Sequence, residues 1–169
     1  MILETERLLI RKWTEADREP FHAICADSNV MRFIGDGSVW SRQRSDAFID
    51  RNSQLLEEHG FCQWAIELQD TGHLAGFCGF VPRDCGVEMG WRLAAQFHGQ
   101  GVGTEAARAT LEYGVTDLQL AEIFLTVQVA NRASLRVAEK LGFTMGPTFI
   151  RSGRSVIRFD WRGSSFDNH

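Results

Sequence analysis

Three glycines at alternate positions, in the run His98-Gly99-Gln100-Gly101-Val102-Gly103-Thr104, are the first grouping in this chain whose residue types and spacing suit a chemical task. The run lies between an apolar stretch that reads as a strand and another that reads as a helix, roughly Val102 to Thr116. A helix that starts here leaves backbone N–H groups without intrahelical partners and presents the positive end of its dipole. Glycine removes the side chains that would keep the backbone away from a diphosphate, and Thr104 adds a hydroxyl donor. Such a loop suits a phosphate-bearing ligand of nucleotide type. A glycine cluster can also be a simple turn, and alone it does not choose between the two.

Gly101-Val102-Gly103-Thr104-Glu105-Ala106 also fits the dinucleotide pattern GxGxxA, with Glu122 near the distance of a ribose-binding acid. Against that reading, Glu122 opens the following strand instead of closing it, and the strands upstream form hairpins where a doubly wound fold needs further βα units. A GxxxxGK[ST] loop and a GxSxG elbow are both absent from the sequence. His22, His59 and His73 therefore read as surface or packing residues.

The elements that must position the loop are legible around it. Arg7 to Trp13 reads as a strand, and Thr14 as the N-cap of a helix through Cys25, although Pro20 interrupts the pattern. Val30 to Ile34 suggests a short helix broken by Gly35-Asp36-Gly37, and Ser41 opens a longer one through Glu58, ended by Gly60. From Phe61 the texture turns to strands: FCQWAIELQ, HLAGFCGFV and GVEMGWRL, with turns expected at Asp70-Thr71-Gly72 and Pro82-Arg83-Asp84. After the helix on the glycine loop come EIFLTVQV, a helix opened by Asn131 and ended by Gly142, and the closing strands TFI and SVIRFDW. Val87 to Val129 is thus one βαβ crossover inside an otherwise antiparallel sheet, and Gly163 to His169 is expected to fray.

The 169 residues, 44% of them hydrophobic, suit one globular domain spanning 1–169. The N-terminal MILETERLLIRKW scatters charges among its apolar residues, which predicts neither signal peptide nor membrane anchor and a cytoplasmic chain. Cys25, Cys62, Cys78 and Cys85 have no CxxC pairing, so reduced thiols are expected and no metal site. The net charge of −4 disfavours nucleic acid as a partner.

EMGWRL, the spacer AAQF, HGQGVGTEA and VQVANRASLRVAEKLGF together closely resemble the cofactor half of the GNAT N-acetyltransferase superfamily. The opening LETERLLIRKWTEAD is similar to its RimJ/RimL-like branch. The resemblance runs from about Leu3 to Trp161 and implies an α+β fold: a splayed, mixed, mostly antiparallel sheet of six to seven strands flanked by about four helices. It implies acetyl-CoA as co-substrate, its pantetheine arm along Trp91, Arg92 and Leu93, and its diphosphate on the amides of Gly99, Gln100, Gly101, Val102, Gly103 and Thr104. His98 stands where the family usually has Gln or Arg, a departure in the side chain that leaves the backbone's contribution intact, since only N–H groups are required. Asn131 corresponds to a residue that bonds the pantetheine, and it is equally a good N-cap. Lys140, at helical spacing beyond it, is a candidate for the phosphates, although charges on a helix face are commonly just solvated.

The resemblance implies transfer of an acetyl group to a primary amine, which needs a neutral nucleophile, a site for developing negative charge and a proton for the departing thiolate. Glu88 is the leading base, with Glu67 and Asp36 in reserve; its alternative is an outward-facing strand residue paired with an arginine. The family's usual tyrosine acid is replaced by Ala138, and the single tyrosine, Tyr113, lies on another helix. Ser134 matches the serine of the RimJ/RimL-like branch and is the candidate to bond the thiolate, while the amide near Leu93 is the candidate oxyanion donor. Acceptor recognition falls to Phe21 to Gly60 and to the turn Arg151 to Arg154. Phe33, Trp40, Phe48 and Trp64 either line that site or belong to the core. The branch suggests a protein N-terminus, other members of the fold a small amine, and a strand edge near the C-terminus a homodimer. The missing tyrosine keeps a second reading open, a non-catalytic acyl-CoA-binding sensor.

Overall fold

Between Gln63 and Leu93 the chain alternates apolar side chains with two tight reversals, and this texture folds as a meander. In the computed structural model, which describes residues 2–163, β3 (Gln63–Leu68), β4 (Leu74–Arg83) and β5 (Gly86–Leu93) are antiparallel neighbours. Upstream, β1 (Leu3–Glu4) and β2 (Leu8–Arg11) extend the sheet on the β3 side. Downstream come β6 (Ile123–Gln128), β7 (Thr144–Arg151) and β8 (Arg154–Asp160). The order across the sheet is β1-β2-β3-β4-β5-β6-β8-β7, and β5 with β6 is its parallel pair. The βαβ crossover expected over Val87 to Val129 is therefore present, and the mixed, mostly antiparallel α+β sheet is as predicted.

Helices cover both faces. On one side pack α1 (Arg18–Cys25), α2 (Ser28–Met31) and α3 (Arg42–His59), which bury Phe21, Ile24, Met31 and Ile49 against Ala65 and Phe77 of the sheet. On the other, α4 (Val102–Thr116) and α5 (Arg132–Lys140) bury Ala106, Leu111, Leu135 and Ala138 against Ile10, Trp64, Phe80 and Met89. Alternation along β3 separates the two cores, with Trp64 and Ile66 facing α4 and Ala65 facing α1.

Four details differ from the sequence reading. The sheet has eight strands because the two-residue β1 pairs with β2, too short a segment to show in periodicity, and there are five α-helices among the described residues. The short second helix starts at Ser28, not Val30, because Asp27 caps it by accepting from the Asn29 N–H. The β4–β5 turn falls on Asp84-Cys85, with Pro82 and Arg83 inside β4. Pro82 is tolerated because β3 ends at Gln63, opposite Gly79, so the side that lacks an N–H has no strand beside it. Pro20 stands third in α1, within the first turn, where its missing N–H has no intrahelical acceptor. The expected frayed tail lies, beyond Gly163, outside the described residues. Cys25, Cys62 and Cys78 are buried, Cys85 is exposed, and none is disulfide-bonded. Among the described residues no helix is long and apolar enough to cross a membrane.

The seating of α4, which fixes the glycine loop, depends on Gly114. A Cβ there would stand 2.4 Å from Cζ of Phe80, a ring with no solvent exposure. Alanine in place of a mid-helix glycine gains about 1 kcal/mol of propensity, but overpacking a closed core costs about 1–3 kcal/mol. Gly114→Ala is expected to lower unfolding stability by about 1–2 kcal/mol, measured by urea denaturation; a stabilised variant would show that α4 is not pinned at this contact.

Candidate active site

β5 and β6 pair only at Val87 with Ile123 and at Glu88 with Phe124, although both strands run on, to Leu93 and Gln128. Each is held straight by its other neighbour, β5 by β4 up to Gly76↔Leu93 and β6 by β8 up to Gln128↔Val156. The Val87 N–H donates to Glu122 O at 2.8 Å and the Ala94 N–H to Ala75 O at 2.9 Å. Alternate amides therefore point opposite ways, and those of Trp91 and Leu93 face the gap with no β6 partner. The gap is a cleft of about 220 Å³, walled by Met89, Gly90, Trp91, Thr126, Gln128, Asn131, Ser134 and Arg151, with Phe33 to Gly35 across its mouth.

The glycine loop lies past the C-terminal end of β5. Gly99 and Gly101 have φ of 75° and 79°, a region glycine enters without penalty, and Gly101 is the N-cap of the 15-residue α4. Gly103 serves packing: a Cβ there would come within 3.2 Å of Leu93 Cδ1. The Gly101 carbonyl accepts from the Glu105 N–H at 3.0 Å, while the amides of residues 99–104 bond no acceptor among the described residues. Arg7 braces the loop, donating from Nη1 to Gln100 O at 2.9 Å and from Nε to Glu105 Oε2 at 2.7 Å. Open amides on a glycine backbone at the positive end of a helix fit a diphosphate.

The other expected residues divide. Asn131 and Ser134 line the cleft; Asn131 Oδ1 accepts from the Ser134 N–H at 3.2 Å as an N-cap, which leaves Asn131 Nδ2 and Ser134 Oγ free of partners among the described residues. His98 contributes differently from a phosphate ligand, since its Nε2 bonds Leu93 O at 2.9 Å and ties the loop to β5. Arg92 does not join the cleft: it is only 6% exposed on the opposite face of β5, donating to Cys25 Sγ at 3.1 Å and stacked 4.1 Å from the Trp40 ring. Burial pushes that guanidinium below its ordinary value and the Cys25 thiol above its own. Lys140 is exposed and stands about 13 Å along the helix axis from Asn131, so it is not gathered to the cleft. Val102 is buried beneath the loop, and Gln100 Nε2 donates to Gln96 O. Of the four aromatics considered for the acceptor, Phe33 lines the cleft; Trp64 is fully buried, and Phe48 packs with Phe21, Phe77 and Trp40.

Glu88 stands where the two strands part. Its Oε2 accepts from Arg83 Nε at 2.7 Å, and its Oε1 accepts from Thr126 Oγ1 at 2.6 Å and from Arg151 Nη1 at 3.5 Å. Burial alone would raise its pKa, but the bonds from Thr126 and Arg83 and the charges of Arg83 and Arg151 outweigh it and hold the carboxyl below its ordinary value. Both readings of this residue are thus realised, pairing with arginine and proximity to the cleft through Thr126. Glu67 is engaged by Arg11 Nε at 2.6 Å and Asp36 by the Ser38 N–H and hydroxyl, and neither lines the cleft. Tyr113 packs edge-on against Trp64, and Ala138 is fully buried. Thr126 and Arg7 were not singled out from sequence, and Arg151 was named only as one end of the turn expected to meet the acceptor; each acts through a contact 25 or more positions away, which periodicity does not encode.

Comparison with known proteins agrees with this geometry. Residues 7–144 match the family model described as an acetyltransferase (GNAT) domain. The chain is 33% identical over 144 residues to the uncharacterized N-acetyltransferase YnaD of Bacillus subtilis, covering 84% of this chain and 82% of that protein. A GNAT-family acetyltransferase crystal structure from Bacillus anthracis is 28% identical, with a TM-score of 0.83 over 96% of this chain and 98% of the other. The ribosomal L7/L12 alpha-N-protein acetyltransferase RimL, solved with coenzyme A, shares the fold at 18% identity, with a TM-score of 0.81 over 95% and 97% of the two chains.

Three carboxylates held by arginines, Asp17 by Arg11, Glu88 by Arg83 and Glu105 by Arg7, all have pKa values below the ordinary range. The unfolded chain therefore binds protons more readily than the folded one, so the stability they contribute is fully present above the ordinary carboxylate range and is lost as pH falls through the depressed values. Urea midpoints are expected to stay level between about pH 8 and 6 and to fall below about pH 4.5. A midpoint that rises on acidification would contradict these clasps.

Proposed function

The chain belongs to the GNAT acetyltransferase family, and from that premise we propose that it moves the acetyl group of acetyl-CoA directly to a primary amine held across the β5–β6 cleft. What supports this reading most is one convergence: the open amides of Gly99 to Thr104 and the unpaired edge at Trp91 and Leu93 meet the cleft from the same end of the sheet.

Acetyl-CoA, when bound, supplies an acyl group activated as a thioester. The amides of Gly99, Gln100, Gly101, Val102, Gly103 and Thr104 grip its diphosphate, with the dipole of α4 adding to their field. The open amides of Trp91 and Leu93 hold the pantetheine arm as an added strand would be held, and the Leu93 N–H takes the charge that grows on the carbonyl oxygen. Asn131 Nδ2 is a further donor toward the arm, and Ser134 Oγ bonds the departing sulfur.

The amine arrives from the side of Phe33 to Gly35. A carboxylate with a depressed pKa takes no proton from a free ammonium ion near neutral pH, so the acceptor enters as the neutral minority species. Its nitrogen becomes strongly acidic only as the new bond forms. Thr126 Oγ1 donates to Glu88 Oε1 and sits on the cleft wall, so the proton passes by way of this hydroxyl or a water to Glu88. Similar proteins include RimL, a ribosomal L7/L12 alpha-N-protein acetyltransferase, and a spermidine N(1)-acetyltransferase of Escherichia coli, and the acceptor here is a protein N-terminus or a small amine.

The test is an acetyl-CoA turnover assay over a panel of amines and N-terminal peptides, run beside equilibrium binding of CoA. Gly101→Glu, which sets bulk and negative charge in the loop, is expected to abolish CoA binding; Glu88→Gln is expected to lower kcat by about 10- to 100-fold and spare binding. Undiminished CoA affinity in Gly101→Glu would place the diphosphate elsewhere, and binding without transfer to any amine would favour a sensor.

A further inference from the structure

Arg151 is the single ionisable side chain among the residues that line the cleft. It sits at the end of β7, in the tight β7–β8 turn, with half of its side chain exposed. Nη1 makes its bonds, to Thr126 Oγ1 at 3.0 Å and to Glu88 Oε1 at 3.5 Å, leaving Nε and Nη2 without partners among the described residues. Its nearest carboxylate does not neutralise it, because Glu88 is shared with Arg83 at 2.7 Å, the shorter of the two pairs.

The surroundings have the same sign. Arg154, across the turn, bonds only neutral oxygens, Arg32 O and Asp36 O at 2.6 Å and Gln128 Oε1 at 3.3 Å, and so spans from the end of β8 to the loop over the cleft mouth. Arg32, beside Phe33, stacks on that ring at 4.6 Å and has no carboxylate partner among the described residues. Asp36 is the acid of this loop, and its carboxylate turns back onto the Ser38 N–H and hydroxyl. Counting Glu88 and the Arg83 that shares it, four cations thus stand around the mouth against two acids, in a protein whose net charge is −4. Such a field attracts an anion and repels a polycation.

We propose that Arg151, with Arg154 and Arg32 behind it, recognises an anionic group on the acceptor, and that the acceptor is a small amine that also carries a carboxylate. The inference rests on reading the cleft as the site of amine acetylation. The free Nε–Nη2 edge is the fork that bonds a carboxylate in bidentate fashion, and a lysine offers the charge without the fork.

The test pairs amino acids with their own carboxamides as acceptors, compared at equal concentrations of neutral amine, and pairs the N-acetyl amino acids with the N-acetyl carboxamides as binding probes in calorimetry. A charge-assisted bidentate contact predicts a preference for the carboxylate of about 10- to 100-fold in kcat/KM and in product binding. Arg151→Met is expected to bring both ratios near one, and Arg151→Lys to retain part of each. Ratios near one in the wild type, ratios unmoved by Arg151→Met in a variant that melts as the wild type does, or uncharged N-terminal peptides outcompeting every amino acid would each overturn the proposal. Transfer absent for all acceptors while product binding still discriminates through Arg151 would remove the acetylation reading and leave the anion subsite standing.

Discussion

The feature on which the rest of the structure depends is an interruption: the hydrogen-bond ladder between β5 and β6 ends after Glu88 and Phe124 although both strands continue. A strand edge inside a sheet is costly unless something satisfies it. Here the neighbours keep both strands extended, and the gap stays open because β4 and β8 each hold one side. A wedge results whose narrow end is a clasped carboxylate and whose wide end meets a helix N-terminus. Open amides on β5 and open amides on the glycine loop are then two parts of one polar surface, suited to a long ligand with an amide-rich arm and a charged end.

Glu88 shows how magnitude changes an assignment. From sequence it was a base or an ion-paired surface residue; in the structure it is paired, half-buried and depressed in pKa, yet one hydroxyl away from the cleft. A low pKa disqualifies it from deprotonating a resting ammonium but not from receiving a proton from a nitrogen made acidic by bond formation. The arginines that lower its basicity also keep it ionised over the whole range in which an amine acceptor has a useful neutral fraction.

Much of this was legible in the sequence, and the reasons are local. Gly60 and Gly142 stop helices because both adopt positive φ, Ser41 and Asn131 start helices through side-chain caps, and the meander follows from alternation. The glycine loop was readable as an anion cradle because only backbone geometry is involved. Less was legible where one residue type serves two environments. Arg92 looked like part of the pantetheine edge, yet strand alternation turns it into the α1–α3 core, and His98 looked like a degenerate phosphate contact while its ring fastens the loop to Leu93. Arg151 and Thr126 meet Glu88 through pairings that only the folded sheet creates.

Alternation along β5 also divides the labour of the cleft. Met89 and Leu93 turn their side chains to the α4–α5 core, and Glu88, Gly90 and Arg92 turn theirs to the side of α1–α3, where the mouth opens. Gly90 leaves that second face without a side chain between the clasped Glu88 and the buried Arg92. A nucleophile approaching from the mouth therefore reaches the backbone of β5 at the point where the Trp91 and Leu93 amides are open on the strand's edge. One strand thus presents donors along its edge and a bare patch on its face, so two reactants can meet there without sharing a binding surface.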